Sequence, residues 1–271
     1  MYIPKPLADK VTISRLKKLK QSGEKFACLT AYDYSFARLV EACGVEVVLV
    51  GDSLGMVIQG HDTTIPVTLN DICYHGKAVA AGLENALLML DMPFGSLNSP
   101  QQALDNASEL IKQTEAQVVK LEGWRSQLKI VEALAHFGIA SCAHLGLQPQ
   151  MVHKMGGYRV QGKAKSAADE MLITARELES AGTDLLLLEC VPAKLAAEIT
   201  AALEIPVIGI GAGAGVDGQI LVLQDVLNVT AGNKPKFSKN FMRGQKSIQS
   251  AISRYVSEVK LGKFPQKMHS F

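Results

Sequence analysis

The stretch VEVVLVGDSLG, residues 45–55, decides the fold. Val45 to Val50 is an almost unbroken β-branched run. Such runs suit strands of a parallel sheet, which are buried on both faces. The run ends in a carboxylate, Asp52, beside a hydroxyl, Ser53. One acid at a strand tip is most simply a turn residue or a helix cap. Here the pattern recurs along the chain.

Seven further runs resemble it: KFACLTAYD (25–33), NALLMLDMP (85–93), AQVVKLEG (116–123), GIASCAHLG (138–146), DLLLLEC (184–190), IPVIGIGAG (205–213) and QILVLQDVL (219–227). With VEVVLVGDS (45–53) they make eight strand candidates. Helical spacing fills the gaps. Phe36, Leu39, Val40 and Cys43 share one face. Ser99-Pro100-Gln101-Gln102 reads as an N-cap, a first-turn proline and a glutamine at the third position, followed by a stripe of Ala103, Ala107, Leu110 and Ile111. Met171, Leu172, Ala175 and Leu178 form another stripe, which Gly182 ends. Leu195, Ile199 and Ala202, then Ile248, Ile252, Tyr255 and Val259, form two more. Eight strand-then-helix units predict a (β/α)8 barrel, the TIM-barrel form of α/β fold, as a single domain over 1–271. Segment 9–23 is expected as an extra N-terminal helix across the barrel bottom. An open doubly wound sheet is the alternative that the pattern alone allows. There is no Pro/Gly/Ser-rich linker and no low-complexity tract.

Composition sets outer bounds. The chain is 48% hydrophobic and 20% charged, enough apolar side chain for a large core. A net charge of +2 gives no reason to expect nucleic acid or a membrane surface as partner. No apolar run reaches the roughly 18 residues that span a bilayer. The start, MYIPKPLADKVTISRLKKLK, lacks the apolar core of a secretory signal. Cys28, Cys43, Cys73, Cys142 and Cys190 form no CxxC pair and read as buried, reduced thiols of a cytoplasmic protein.

In a barrel the acids gain a common meaning. Asp52 closes strand 2, Asp91 strand 3, Glu122 strand 4, His144 strand 5 and Glu189 strand 6. Those ends open at one mouth, where this fold builds its active sites. Converging carboxylates repel and tend to protonate unless a cation joins them. Mg2+ is suited to that, since it takes oxygen ligands and needs only one or two carboxylates. Lys120 precedes Glu122 by two residues, so both face the same side of the strand. It is either an ion-pair partner of Glu122 or a cation for a bound carboxylate or a developing enolate. Asp33 is expected to be only a cap, because a helix starts there. GAGVDG (213–218) matches G-x-G-x-x-G, but a strand follows where a dinucleotide site needs a helix. KPKFSKN (234–240) is expected to be a solvated surface loop.

The chain resembles the ketopantoate hydroxymethyltransferase family of pantothenate biosynthesis. The resemblance lies in TAYDYSFA (30–37), LVGDSLGMVIQGHDTTIPVTL (49–69), DMPF (91–94), VKLEG (119–123), AHLGLQPQ (143–150), GGYRVQG (156–162), LLLLECVP (185–192), IPVIGIGAGAGVDGQILVLQD (205–225) and PKFSKNF (235–241). It implies a Mg2+-dependent transfer of a one-carbon unit from 5,10-methylenetetrahydrofolate to 3-methyl-2-oxobutanoate, giving 2-dehydropantoate. It implies metal contacts at Asp52, Asp91 and Glu122. Oxoacid contacts fall on Asp52, Ser53, Asp91 and Lys120, with His144 near the substrate. Glu189 is implied as the catalytic base. Following four leucines, it is expected to be desolvated, as a working base often is. The resemblance further implies a homo-oligomer, a decamer of five dimers. Trp124 and the GAGAGVDG loop depart from the family pattern without touching these acids. A Mg2+-dependent C–C lyase or mutase acting on another 2-oxoacid or phosphoenolpyruvate is the alternative, since it would use a similar acid cluster.

Overall fold

Each apolar run folds as a short strand in the computed structural model, which describes residues 4–232 and 234–271. The first three residues of the N-terminal stretch weighed above therefore lie outside the described residues. The strands are β1 (Phe26–Thr30), β2 (Val47–Val50), β3 (Leu87–Asp91), β4 (Val118–Glu122), β5 (Ser141–Gly146), β6 (Leu185–Glu189), β7 (Val207–Ile210) and β8 (Gly218–Leu221). Each pairs in parallel with its neighbour in sequence, and β8 pairs with β1 to close the barrel. The open doubly wound sheet is thereby excluded. Parallel register places Asp91 opposite Lys120, Glu122 opposite His144, and Gly146 opposite Glu189. Chemistry-bearing residues thus form a row around the carboxyl rim.

Helices cover the outside for the reasons their sequences give. Ser99 Oγ accepts from the Gln102 N–H, and Pro100 opens the helix Pro100–Thr114, which buries Ala103, Ala107 and Leu110. Asp33 caps the helix Tyr34–Ala42 by accepting from the Phe36 N–H. The last helix, Ile248–Lys260, carries Tyr255, whose hydroxyl lies 2.8 Å from Cys28 O and 2.7 Å from Gln219 O. That contact ties the helix to β1 and β8, at the seam where the barrel closes.

The N-terminal helix, Ile13–Ser22, crosses the bottom as expected. Thr12 caps it, and Gly23, at φ 73°, ends it in the left-handed region that glycine tolerates. Lys20 Nζ donates to Thr200 O at 2.8 Å and to Asp217 Oδ2 at 2.9 Å. The Val11 N–H donates to Asn85 O at 2.7 Å. These partners precede β7, β8 and β3, so the contacts lie at the amino ends of the strands.

Two expectations need correction. QILVLQDVL is not one strand, because β8 stops at Leu221 and Leu223–Val226 forms a helical turn. A short apolar run reads the same in either conformation. Here Thr30 Oγ1 accepts from the Leu223 N–H at 3.0 Å and pulls the chain out of the sheet direction. KPKFSKN is a loop, but not a freely solvated one. Lys239 pairs with Glu258, Lys236 Nζ donates to Ser270 O, and Phe237 is partly buried against the core.

Candidate active site

The acid of the opening stretch lies two residues past β2, in the turn leading to the short helix Leu54–Val57. Neither polar group of GDS is spent on that helix, since Ser53 makes no side-chain capping bond. The Asp52 N–H instead donates to Asp91 Oδ2 at 2.9 Å, across to the end of β3. Gly51 permits this closeness, because a Cβ there would stand 3.3 Å from the same oxygen. Half-buried Ser53 places its Oγ 2.8 Å from Tyr32 Oη.

The residues from β4 and β5 close around these acids. Lys120 Nζ lies 2.8 Å from Asp91 Oδ1 and 3.7 Å from Glu122 Oε1. Lys120 is thus an ion-pair partner, and its nearer acid is Asp91. His144 Nδ1 lies 3.4 Å from Glu122 Oε1, and Nε2 lies 3.4 Å from Glu189 Oε2. The imidazole therefore stands between the acid of β4 and the acid of β6. Asp52, Asp91, Lys120, Glu122 and His144 are all buried, while the Glu189 side chain keeps 14% of its exposure. Gly146, at φ 95°, lets β5 and β6 approach, since a Cβ there would meet Glu189 O at 2.2 Å. Cys190, also left-handed at φ 50°, turns the chain immediately after Glu189.

Burial and crowding act on the charges in opposite senses. Burial, with the charges of Asp91 and Glu122, raises the Asp52 carboxyl well above the usual carboxylate range. Burial opposes the charge on Lys120, but Asp91, Glu122 and Asp52 outweigh it and hold the ammonium protonated. Burial likewise opposes ionisation of Glu122, yet His144, Lys120 and the Gln150 N–H bring its carboxyl below the usual value. Burial and Lys120 push His144 down, while Glu122 and Glu189 more than compensate and raise it.

The set fits a divalent cation. Glu122 Oε1 is buried without a hydrogen bond, and Asp52 resists ionising beside two other acids. A hard cation would relieve both. Among the described residues no group of three or more His, Cys, Asp or Glu side chains is arranged to hold an ion.

Three residues here were not singled out from the sequence. Tyr32 orients Ser53, and its own backbone carbonyl accepts from the ring Nδ1–H of His75 at 2.7 Å. Gln150, in the loop after β5, donates from Nε2 to Asp52 Oδ2 at 2.9 Å. Tyr158 reaches back across the mouth, with its hydroxyl 3.8 Å from Met56 Sδ. Burial and the charges of Glu189, Asp52 and Glu122 raise its phenol. Asp33 takes no part, and GAGVDG leads directly into β8, with no helix to form a dinucleotide site.

Comparison with known proteins gives three findings. The family model described as ketopantoate hydroxymethyltransferase matches residues 10–267. A 3-methyl-2-oxobutanoate hydroxymethyltransferase of Alkalilimnicola ehrlichii is 57% identical over 261 residues, covering 96% of this chain and 94% of its own. One from Marinobacter nauticus is 54% identical, covering 96% and 98%. Among solved structures, a phosphoenolpyruvate phosphomutase from Streptomyces platensis aligns with a TM-score of 0.60 at 12% identity, covering 80% of this chain and 82% of its own. A 2,3-dimethylmalate lyase aligns at 0.57 and 14%, covering 80% and 79%. Likeness at that identity shows the shared barrel alone, so it lends nothing to the lyase or mutase alternative.

Proposed function

This chain belongs to the ketopantoate hydroxymethyltransferase family, and we propose that it transfers the one-carbon unit of 5,10-methylenetetrahydrofolate to 3-methyl-2-oxobutanoate. The products are 2-dehydropantoate and tetrahydrofolate, with water supplying the new hydroxyl. The observation that carries this reading is the 57% identity to a relative of that name across 96% of the chain.

In this reading Asp52 and Asp91 hold Mg2+, with Glu122 beside them. When bound, the ion supplies Lewis-acid charge to the keto and carboxylate oxygens of a 2-oxoacid. Ser53, fixed by Tyr32, donates a hydrogen bond to the substrate carboxylate. Glu189 takes the proton from C3, and the C–H electrons pass to the keto oxygen as an enolate. Lys120 contributes positive charge where that negative charge develops. His144 steadies Glu189 from one side and Glu122 from the other. The enolate carbon then bonds to the methylene carbon as one of its two C–N bonds breaks, and the oxygen of water replaces the second nitrogen to give the hydroxymethyl group. Each folate nitrogen leaves with its C–N electrons and takes a proton, one from C3 by way of Glu189 and one from the water.

The test is a product assay with purified protein, both substrates and Mg2+. The expected result is 2-dehydropantoate formed only when all three are present. Cleavage of an oxoacid without folate, and no 2-dehydropantoate, would move the assignment to the lyase alternative.

The same reading has the whole chain working as one barrel unit in the cytoplasm. Its five cysteines are free and buried, which suits a reducing compartment. No helix among the described residues is long and apolar enough to cross a membrane. It also has the protein working as a homo-oligomer, by family likeness a decamer. Light scattering at micromolar concentration should give a mass of about ten chains, and a monomer would sink the idea.

A further inference from the structure

Asp52 and Glu122 each spend one oxygen on a fixed protein donor, and one residue serves both. Gln150 donates its backbone N–H to Glu122 Oε2 at 3.0 Å. Its side-chain Nε2 donates to Asp52 Oδ2 at 2.9 Å and to Met92 O at 3.0 Å. The orientation of the amide follows from those partners. A main-chain carbonyl and a carboxylate oxygen are both acceptors, so the NH2 group, with its two protons, must face them. The opposite orientation would set the Gln150 carbonyl oxygen against two acceptors.

The residue is itself buried, at 7% exposure, so water does not readily substitute for it. It bridges three strand ends. Asp52 follows β2, Met92 follows β3, and Glu122 ends β4, while Gln150 arrives from the loop after β5. With Asp52 Oδ2 and Glu122 Oε2 engaged by Gln150, Asp52 Oδ1 and Glu122 Oε1 are left free of it, the latter facing His144 Nδ1 at 3.4 Å and Lys120 Nζ at 3.7 Å. Glu122 Oε1 is the buried oxygen that lacks a hydrogen bond.

We propose that Gln150 is a positioning residue that fixes the rotamers of Asp52 and Glu122, and so presents their other oxygens to a divalent cation. This rests on the reading of the mouth as a Mg2+ site. Outer groups that orient ligating carboxylates commonly contribute 10–100-fold in metal affinity.

The test measures metal binding without turnover. Gln150→Met keeps the chain length and the backbone N–H but removes both side-chain donors. Gln150→Asn keeps an amide that is one methylene too short to span the gap. Mn2+ serves as a paramagnetic probe, with free ion read by electron paramagnetic resonance at fixed pH. Circular dichroism melting of each variant reports the fold. The expected result is a Mn2+ dissociation constant raised on the order of 10-fold or more in both variants, at little change in secondary structure. If Gln150→Met does not fold, Gln150→Asn carries the comparison. Wild-type affinity in a folded variant would overturn the role of Gln150 alone. No Mn2+ binding by the wild type would overturn the metal reading and this inference with it.

Discussion

Asp91→Ala is expected to lower kcat/KM on the order of 10³-fold while the chain stays folded. The size follows from how much one side chain does. Asp91 is one of the acids proposed to hold Mg2+, it accepts from the Asp52 N–H, and it is the nearest acid to Lys120. Its loss would therefore remove a ligand, release the turn that carries the other ligand, and leave the ammonium of Lys120 facing Glu122 at 3.7 Å. A lost Lewis acid alone accounts for several kcal/mol, and about 1.4 kcal/mol is tenfold in rate. Folding should survive, because Asp91 is the last residue of β3, at the rim, and the leucines and methionine below it are untouched. The variant should have wild-type circular dichroism and should not recover with excess Mg2+. Asp52→Ala should behave alike. Near-normal turnover by either variant, after chelation and return of the metal, would show that the acids do not hold it.

The barrel could be read from the chain because parallel strands announce themselves. A strand covered on both faces has no polar side to alternate, so LLLLE and VVLV stand out against amphipathic helices. Boundaries were harder. QILVLQDVL gave no sign that Thr30, almost two hundred residues earlier, would capture the Leu223 N–H and end the strand. KPKFSKN looked like a solvated loop because nothing local shows that Phe237 finds a place against the core.

The candidate site was legible where its residues carry charge. An acid at the tip of an apolar run is costly unless it has a use, so Asp52, Asp91, Glu122 and Glu189 could be noticed one by one. The register that brings Glu122 opposite His144 could not be seen, since it is set by barrel closure. Tyr32 and Gln150 left no such trace. A tyrosine after a strand usually reads as core, and a glutamine in a loop usually reads as surface. Their importance lies in what they touch, Ser53 in one case and Asp52 in the other. Stretches such as TAYDYSFA and AHLGLQPQ contained them, but nothing within either stretch separates the orienting residue from its neighbours.

Glu189→Gln gives the most direct test of the chemistry, because it isolates proton removal from carbon transfer. Glu189 is the one acid of the set that retains some exposure, at 14% of its side chain, so it can meet both substrate and solvent. Its Oε2 lies 3.4 Å from His144 Nε2, so the imidazole stands beside the carboxylate without covering it. If it takes the C3 proton, the wild type should exchange that hydrogen of 3-methyl-2-oxobutanoate with solvent deuterium when folate is absent. Glutamine keeps the shape and one acceptor oxygen but cannot serve as the base. Exchange should then slow on the order of 10²–10⁴-fold, the usual contribution of a positioned general base. Removing Mg2+ should suppress it as well, since the developing negative charge loses its Lewis acid. Proton NMR in D2O follows the loss of the C3 signal directly. The two perturbations differ in one respect: added Mg2+ should restore the stripped wild type and leave Glu189→Gln slow. Wild-type exchange in Glu189→Gln would remove Glu189 as the base and direct attention to His144, its neighbour across the mouth.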